Sequence, residues 1–432
     1  MNILQKSVVL IGASKHKGKV GNAIAKNLLK FKNSFFVNPN DKEVFGKKCY
    51  SSVLEIKNEL ETAVIAVKPE VVPNVLEECG KKRIKTAIII TAGFSESGEK
   101  GRIAEQKLIE ISKKYNIRIL GPNCFGIINP YIDLNATFAS IPVNKGDIAF
   151  ISQSGALCST VLDLASQEDI GFSFFASVGN LADLNFTDFI RMLDKDEKTK
   201  AIIIYAEAFK PESGREFIEA AKLCRKPIIV LKSGISEAGA KTALTHTGSL
   251  ASDYEIYKAA FREAGIIESR SITGALDKAR FFSKNSLKGN GILILSNAGG
   301  PAVLAADYCE EFNVKLAEIP KTVVDSLNKV LPETWNKSNP MDIIGDADAT
   351  RYEKALEKLD FNYDCLICIL TPQEMSQPFE TAKILLDFSI KKRKPVIAAF
   401  LGGTKISEAS KLLNKNNILC FPELRRVIKV LS

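Results

Sequence analysis

Short apolar runs rich in valine and isoleucine recur along the chain and alternate with longer stretches that are apolar on one helical face only. That alternation is the signature of parallel sheets covered by helices. In the first block it predicts strands near 8–11, 35–37, 64–66, 87–90 and 118–120, with helices over 18–30, 71–80 and 98–115. A loop-rich segment, 129–146, leads to a second block that opens on a strand at 147–151. This block adds strands near 172–175, 201–205 and 227–231 and closes on a helix around 273–282. Residues 283–290 are polar and read as a linker; a third block starts at 291–295 and carries the alternation to the C-terminus. The expectation is an α/β chain of three domains, at 1–128, 129–284 and 290–432, since 432 residues exceed what one compact core holds.

The second and third blocks open alike. Ser152-Gln153-Ser154-Gly155 and Ser296-Asn297-Ala298-Gly299-Gly300 each follow a strand with serine, an amide and glycine, and then a helix. Such a loop aims a helix N-terminus, with its free N–H groups and positive dipole end, at an anion. Many strand–helix turns carry small residues for packing alone, so it is the repetition that points to phosphate. The first block has its own glycine-rich turn, from Gly12 to Gly21, after its first strand. It is not a strict GxGxxG, and Asn38-Pro39-Asn40 stands where a dinucleotide site would have an acidic ribose ligand. A nucleotide whose phosphates are met by basic side chains fits better than NAD.

Composition narrows the partners. Hydrophobic residues make up 46% of the chain, with no run long enough to span a membrane. The N-terminus passes straight into the first core strand instead of forming a signal peptide, so a cytoplasmic protein is expected. Its nine cysteines are scattered and expected to be reduced. Cys365 and Cys368 have CxxC spacing but lie inside an apolar run, which reads as strand packing and not as a redox or metal motif. No metal site of its own is expected. The net charge of +9 is spread thinly, which suits a polyanionic ligand but is too diffuse for nucleic acid.

There are only two histidines, His16 among the lysines of the glycine-rich turn and His246 in a stretch rich in threonine and small residues. Neutral imidazole is a competent phosphoryl acceptor near pH 7. Such a histidine needs a carboxylate to orient it, and Glu207, at the C-terminal end of a predicted parallel strand, is the candidate.

Taken together, these motifs resemble the ADP-forming acetate–CoA ligase family, related to succinyl-CoA synthetases. Further matches are Ala92-Gly93-Phe94, Gly121-Pro122-Asn123-Cys124, Ser177-Val178-Gly179-Asn180, His246-Thr247-Gly248 and Asn339-Pro340-Met341-Asp342. The resemblance covers essentially the whole chain. It implies a Rossmann-like CoA-binding domain followed by two flavodoxin-like parallel-sheet domains. It also implies that His246 is the phosphohistidine and Glu207 its partner. Ser152, Gln153, Ser154 and Gly155 would form one phosphate-binding helix start, and Asn297, Ala298, Gly299 and Gly300 a second. Coenzyme A would be held around Gly12, Ala13, Ser14, Lys15, Val67, Lys68, Ile90, Thr91, Ala92 and Asn123, with Cys124 near its thiol end but not a nucleophile.

By the same resemblance the chain is the alpha subunit of an enzyme converting acyl-CoA, ADP and phosphate to carboxylic acid, CoA and ATP. An ATP-grasp domain of ~200 residues is absent after the third block, so ADP/ATP with Mg is expected on a partner ATP-grasp beta subunit in an α2β2-type hetero-oligomer. One departure is Asn40, where the family often has lysine, so a CoA phosphate contact would shift to Lys42 or another lysine. Three other readings compete: a succinyl-CoA synthetase-like subunit with another acid substrate, a protein lysine acetyltransferase, and a non-catalytic CoA-binding sensor. The acetyltransferase lacks its domain here, and the sensor would need neither His246 nor Glu207.

Overall fold

The computed structural model describes residues 6–209, 213–239, 241 and 254–432. His246 lies outside them. The chain divides into two compact units, Met1–Ala279 and Arg280–Ser432.

The first unit contains two sheets among its described residues. One is built from β1 (Val8–Ile11), β2 (Ser34–Val37), β3 (Glu43–Val44), β4 (Lys47–Tyr50), β5 (Thr62–Ile65), β6 (Thr86–Ile89) and β7 (Arg118–Leu120), in the order β3-β4-β2-β1-β5-β6-β7. Apart from the β3–β4 edge, every pairing is parallel. Setting β3 aside, this is the strand order of dinucleotide-binding folds, and it reverses between β1 and β5.

The second sheet combines β8 (Gly126–Asn129), β9 (Leu134–Thr137), β10 (Lys145–Ser152), β11 (Phe172–Ser177), β12 (Ala201–Ala206), β13 (Ile228–Lys232) and β14 (Ile267–Glu268), in the order β14-β13-β12-β10-β11-β8-β9. The second unit carries β15 (Ile292–Ser296), β16 (Met341–Asp342), β17 (Cys365–Leu370), β18 (Val396–Phe400) and β19 (Leu419–Phe421), in the order β16-β15-β17-β18-β19. The parallel part β11-β10-β12-β13-β14 repeats that arrangement strand for strand. Both are flavodoxin-like, with the order reversing between the first strand and the third.

The central strands are apolar on both faces because helices cover both faces of a parallel sheet. β17, Cys-Leu-Ile-Cys-Ile-Leu, is wholly buried. Cys365 and Cys368 are three positions apart, so they point to opposite faces and belong to different core clusters. They cannot close a disulfide or share a metal, and both are free thiols.

One expectation needs correction. Much of the segment read as loop, 129–146, takes part in an antiparallel hairpin, β8 with β9, that joins the edge of the second sheet through β11. Its strands are short and mix asparagine and threonine with apolar residues, so they show no run long enough to read as a strand.

The two sheets of the first unit interlock along β7. Arg118 Nε meets Asp183 at 2.9 Å and a guanidinium nitrogen meets Asp188 at 3.3 Å. The Asp183 carboxylate also accepts the amide of Ile119 at 2.8 Å. Backbone bonds from Leu184 to Ile119 and from Asn180 to Pro122, both 3.0 Å, continue the seam.

Candidate functional site

Parallel pairing brings the sequence-predicted residues to strand ends of the same sense. Ile11 is level with Val37 and Ile65, so Gly12 emerges at the switch point of the first sheet, beside Ala66. Its φ of +99° suits only glycine, and a Cβ there would sit 2.3 Å from the Ala66 carbonyl oxygen. Gly21, in the first turn of helix Val20–Leu28, lets that helix approach so closely that a Cβ would lie 1.9 Å from the Gly12 carbonyl oxygen. The pair forms a cradle of bare backbone. Asn38 fixes it by donating to the Ala13 carbonyl at 2.7 Å, and Asn22 donates to that of Ser14 at 2.9 Å. Lys15 is exposed and paired with buried Asp41 at 2.8 Å, which raises its pKa. Lys68 is exposed at the start of the short helix Pro69–Val71.

A cleft of about 900 Å³ runs along the seam between the two sheets of this unit. Val67, Ile90, Thr91 and Ala92 line it from the first sheet, Asn123 and Cys124 from the crossover, and Gln153, Ser154, Gly155 and Glu207 from the second sheet. Ten of the residues singled out from sequence therefore share one cavity, whereas Gly12, Ala13, Ser14, Lys15, Lys68 and Ser152 are not among its lining residues.

The loop after β10 is shaped by its own side chains. Ser152 is fully buried; its hydroxyl donates to the Ser154 carbonyl at 2.8 Å and accepts the Ser154 amide at 3.1 Å. That hydroxyl holds the turn and is not presented to a ligand. Ser154 caps the helix Gly155–Gln167 by accepting from Leu157, leaving first-turn amides without intrahelical partners. Gln153 reaches across the switch point, its carbonyl oxygen accepting the amides of Glu207 and Ala208 at 2.9 and 3.1 Å. Lys232, at the end of β13, donates to the Glu207 carbonyl at 2.7 Å, and burial pushes its ammonium down to about 8 against the opposing pull of Glu207. Glu207 is thus carried on a loop tied from two sides.

The second unit repeats the device. Ser296 donates to the Ala298 carbonyl at 2.8 Å and accepts its amide at 3.1 Å, the same ring as at Ser152. Asn297 is buried and accepts the Thr371 amide at 2.9 Å, as Gln153 does for Glu207. Gly299 and Gly300 open the helix Gly299–Glu311. The difference lies across from the helix start. Ser152 is level with Ser177, but Ser296 is level with Asp342. An Asp342 oxygen stands 2.9 Å from where a Gly299 Cβ would be. An external anion at this start would meet a carboxylate from the neighbouring strand, where the Gly155 start has the hydroxyl of Ser177 at the matching position.

Cys124 is buried, and burial pushes its thiol up to about 12. Its sulfur donates to the Ile89 carbonyl at 3.3 Å. Compared with an ordinary thiol, its thiolate fraction at pH 8 is lower by about a thousandfold. In the folded protein Cys124 will therefore escape iodoacetamide at pH 8 under conditions that alkylate it fully in urea, as peptide mass spectrometry will record. Rapid native alkylation would reopen a nucleophilic role.

Sequence reasoning assigned no role to Glu96 and Asn180, which also line the cleft. Asn180 stood in a matched motif, but Glu96 sits in an ordinary polar loop and carries no local signal. Asn180 donates to Glu96 at 2.6 Å and to buried Glu105 at 2.9 Å, bridging the seam.

Family models match along the whole chain: a CoA binding domain over 6–130, a succinyl-CoA ligase like flavodoxin domain over 145–282 and a ligase-CoA domain over 292–431. The chain is 42% identical to the alpha subunit of ADP-forming acetate–CoA ligase II from Pyrococcus furiosus, covering 96% of this chain and 92% of the relative. It is 47% identical to the ADP-forming acetate–CoA ligase of Methanocaldococcus jannaschii, covering 99% of this chain but only 61% of that longer relative. Among solved structures, a dinucleotide-forming acetyl-coenzyme A synthetase 1 from Candidatus Korarchaeum cryptofilum, in complex with phosphate and ADP, superposes with a TM-score of 0.92 at 36% identity, covering 99% and 94% of the two chains.

Proposed function

The chain belongs to the family of ADP-forming acetate–CoA ligases, and from that premise we propose that it is the subunit that exchanges an acyl thioester for phosphate and carries the phosphoryl group on His246. The observation that carries this reading is the cleft at the seam, where the CoA-side residues Val67, Ile90, Thr91, Ala92, Asn123 and Cys124 face a helix start and Glu207.

The reaction has three steps. An oxygen of inorganic phosphate attacks the acyl carbonyl carbon, the C–S bond breaks, and CoA leaves as the thiol to give an acyl phosphate. An imidazole nitrogen of His246 then attacks phosphorus, the bond to the acyl oxygen breaks, and the carboxylate leaves. The phosphoryl group finally passes to ADP, forming ATP and restoring the histidine.

Anionic oxygen is present at every stage, so fixed dipoles assist throughout. The amides at Gly155, with Ser154, hold the phosphate, and Glu207 orients the imidazole. The cradle at Gly12 to Lys15, with Lys68, takes the nucleotide end of coenzyme A; its shape depends on the backbone packing of Gly12 against Ala66 that a Cβ would disrupt. The helix start at Asn297 to Gly300 is a second anion site, the weaker one because the Asp342 side chain stands at its mouth. Three domains, 1–128, 129–284 and 290–432, divide these tasks. ADP and Mg belong to an ATP-grasp beta subunit in a hetero-oligomer of α2β2 type, a reading supported by relatives named as alpha subunits. The setting is the cytoplasm; among the described residues no helix is long and apolar enough to cross a membrane.

The test omits nucleotide. With acetyl-CoA and labelled inorganic phosphate, the chain will release CoA and gain an acid-labile label on a histidine peptide. If neither occurs with a panel of acyl-CoAs, alone or with an ATP-grasp partner, while CoA still binds, the molecule is a CoA sensor and the proposal fails.

A further inference from the structure

The charged side chains that line the seam cleft among the described residues are of one sense. Among the described residues that line it there is no lysine, arginine or histidine, and its carboxyls are Glu96 and Glu207. Glu96 extends from the loop after β6 and is gripped from both sides of the seam. The amides of Gly93 and Phe94 donate to it at 2.5 and 3.2 Å, and Asn180 donates from the second sheet at 2.6 Å. Burial works against its charge, but these hydrogen bonds outweigh burial and hold the carboxyl below its usual range. It is an anion at neutral pH, and it cannot swing away without releasing three donors. Asn180 also accepts from Asn123 at 3.3 Å, next to Cys124, which places this anion at the thiol end of the proposed CoA path.

The opposite wall has the reverse sense, because Gly155 and Ala156 line the cleft from the first turn of their helix. The cleft therefore has a polarity. Inorganic phosphate is favoured at the helix start, and a negative group beside Glu96 is not.

We infer that Glu96 is a specificity-determining residue of the acyl subsite, rejecting acyl groups with a second carboxylate by setting that carboxylate against a fixed one, with no lysine or arginine among the described lining residues to pair with. The inference rests on reading the cleft as the place where acyl-CoA meets phosphate. Discrimination here is by charge and not by length, since a cleft of about 900 Å³ has room for a four-carbon acyl group. A like-charge contact in a partly dry site is a repulsive element of the kind that separates close competitors.

The experiment uses three thioesters, acetyl-CoA, succinyl-CoA and succinamoyl-CoA, and follows phosphate-dependent release of CoA. Succinamoyl has the shape of succinyl without its charge. The chain should use succinamoyl-CoA with a kcat/KM at least about a hundredfold above that for succinyl-CoA. In Glu96→Gln, which keeps an acceptor for Gly93 and Phe94, that ratio should shrink to about tenfold or less. Equal use of the two by the unaltered chain, equal exclusion of both, or a ratio unmoved by Glu96→Gln would each overturn the inference. The wild-type comparison decides even if the variant fails to fold. If acetyl-CoA also fails to react, the proposed function falls and takes this inference with it; acetyl-CoA turnover with a ratio near one removes the inference alone.

Discussion

His246→Ala will abolish acid-labile phosphate incorporation from acyl-CoA, lowering the rate by roughly four orders of magnitude or more, as removal of a covalent nucleophile does. Affinity for CoA, measured by calorimetry, will stay within about twofold, because the residues proposed to contact CoA lie elsewhere in the chain and no ground-state contact is lost. The two readouts separate a phosphoryl carrier from a residue that merely supports the fold. The imidazole is needed only after the thioester has been cleaved, so a single round of acyl-phosphate formation need not depend on it. A variant that lost CoA binding and phosphate incorporation in parallel would contradict the role. So would a variant that kept acid-labile label on another residue. His246 is outside the described residues, and its assignment rests on its sequence motif, on the family, and on Glu207 in the cleft.

Gly21→Ala and Gly12→Ala will both destabilise the first unit and weaken CoA binding at least tenfold. The first of these reverses an ordinary rule. Glycine to alanine inside a helix normally stabilises by up to about 1 kcal/mol, but here the new Cβ would lie 1.9 Å from the Gly12 carbonyl oxygen. The obstacle is backbone just past the end of a core strand, not a flexible side chain, so the helix itself must move. Gly12→Ala adds the strain of a side chain at φ +99° to a 2.3 Å approach to Ala66. Together these cost about 3–5 kcal/mol, the sum of backbone strain and overpacking. Urea denaturation of the two variants beside the parent will measure it. Unchanged midpoints would mean that the cradle is looser than its geometry requires.

Much of this was legible along the chain because parallel sheets align their strand ends. Once the strands were placed, Gly12, Ser152, Glu207 and Asn297 had to emerge at one edge of their sheets, and glycine next to serine marked where a helix begins. The three sheets follow the expected order for the same reason. What could not be read depends on surfaces meeting across long separations. Glu96 and Asn180 are 84 residues apart and face each other only because two sheets dock along β7. The hairpin β8–β9 was hidden because its partner strand, β11, supplies the apolar context that its own residues lack. Asp342, quoted as part of a motif, acquires its meaning from lying level with Ser296, the place that Ser177 takes beside Ser152 in the other repeat, a correspondence visible only in the registers.

The interlocking along β7 bears on how the molecule can work. Many enzymes with a crevice between two sheets close on their substrate as jaws do, with a hinge absorbing the motion. Here the jaws are bolted: Arg118 is fastened to two aspartates, backbone bonds cross the seam, and Asn27 of the first helix donates to the Thr137 and Ala139 carbonyls at the end of the β8–β9 hairpin. These ties set the spacing between the two walls of the cleft. Its walls are positioned when the chain folds, and little orientational freedom remains to be lost when ligand arrives. Whatever has to travel between chemical steps must be a passenger in this frame, not the frame itself.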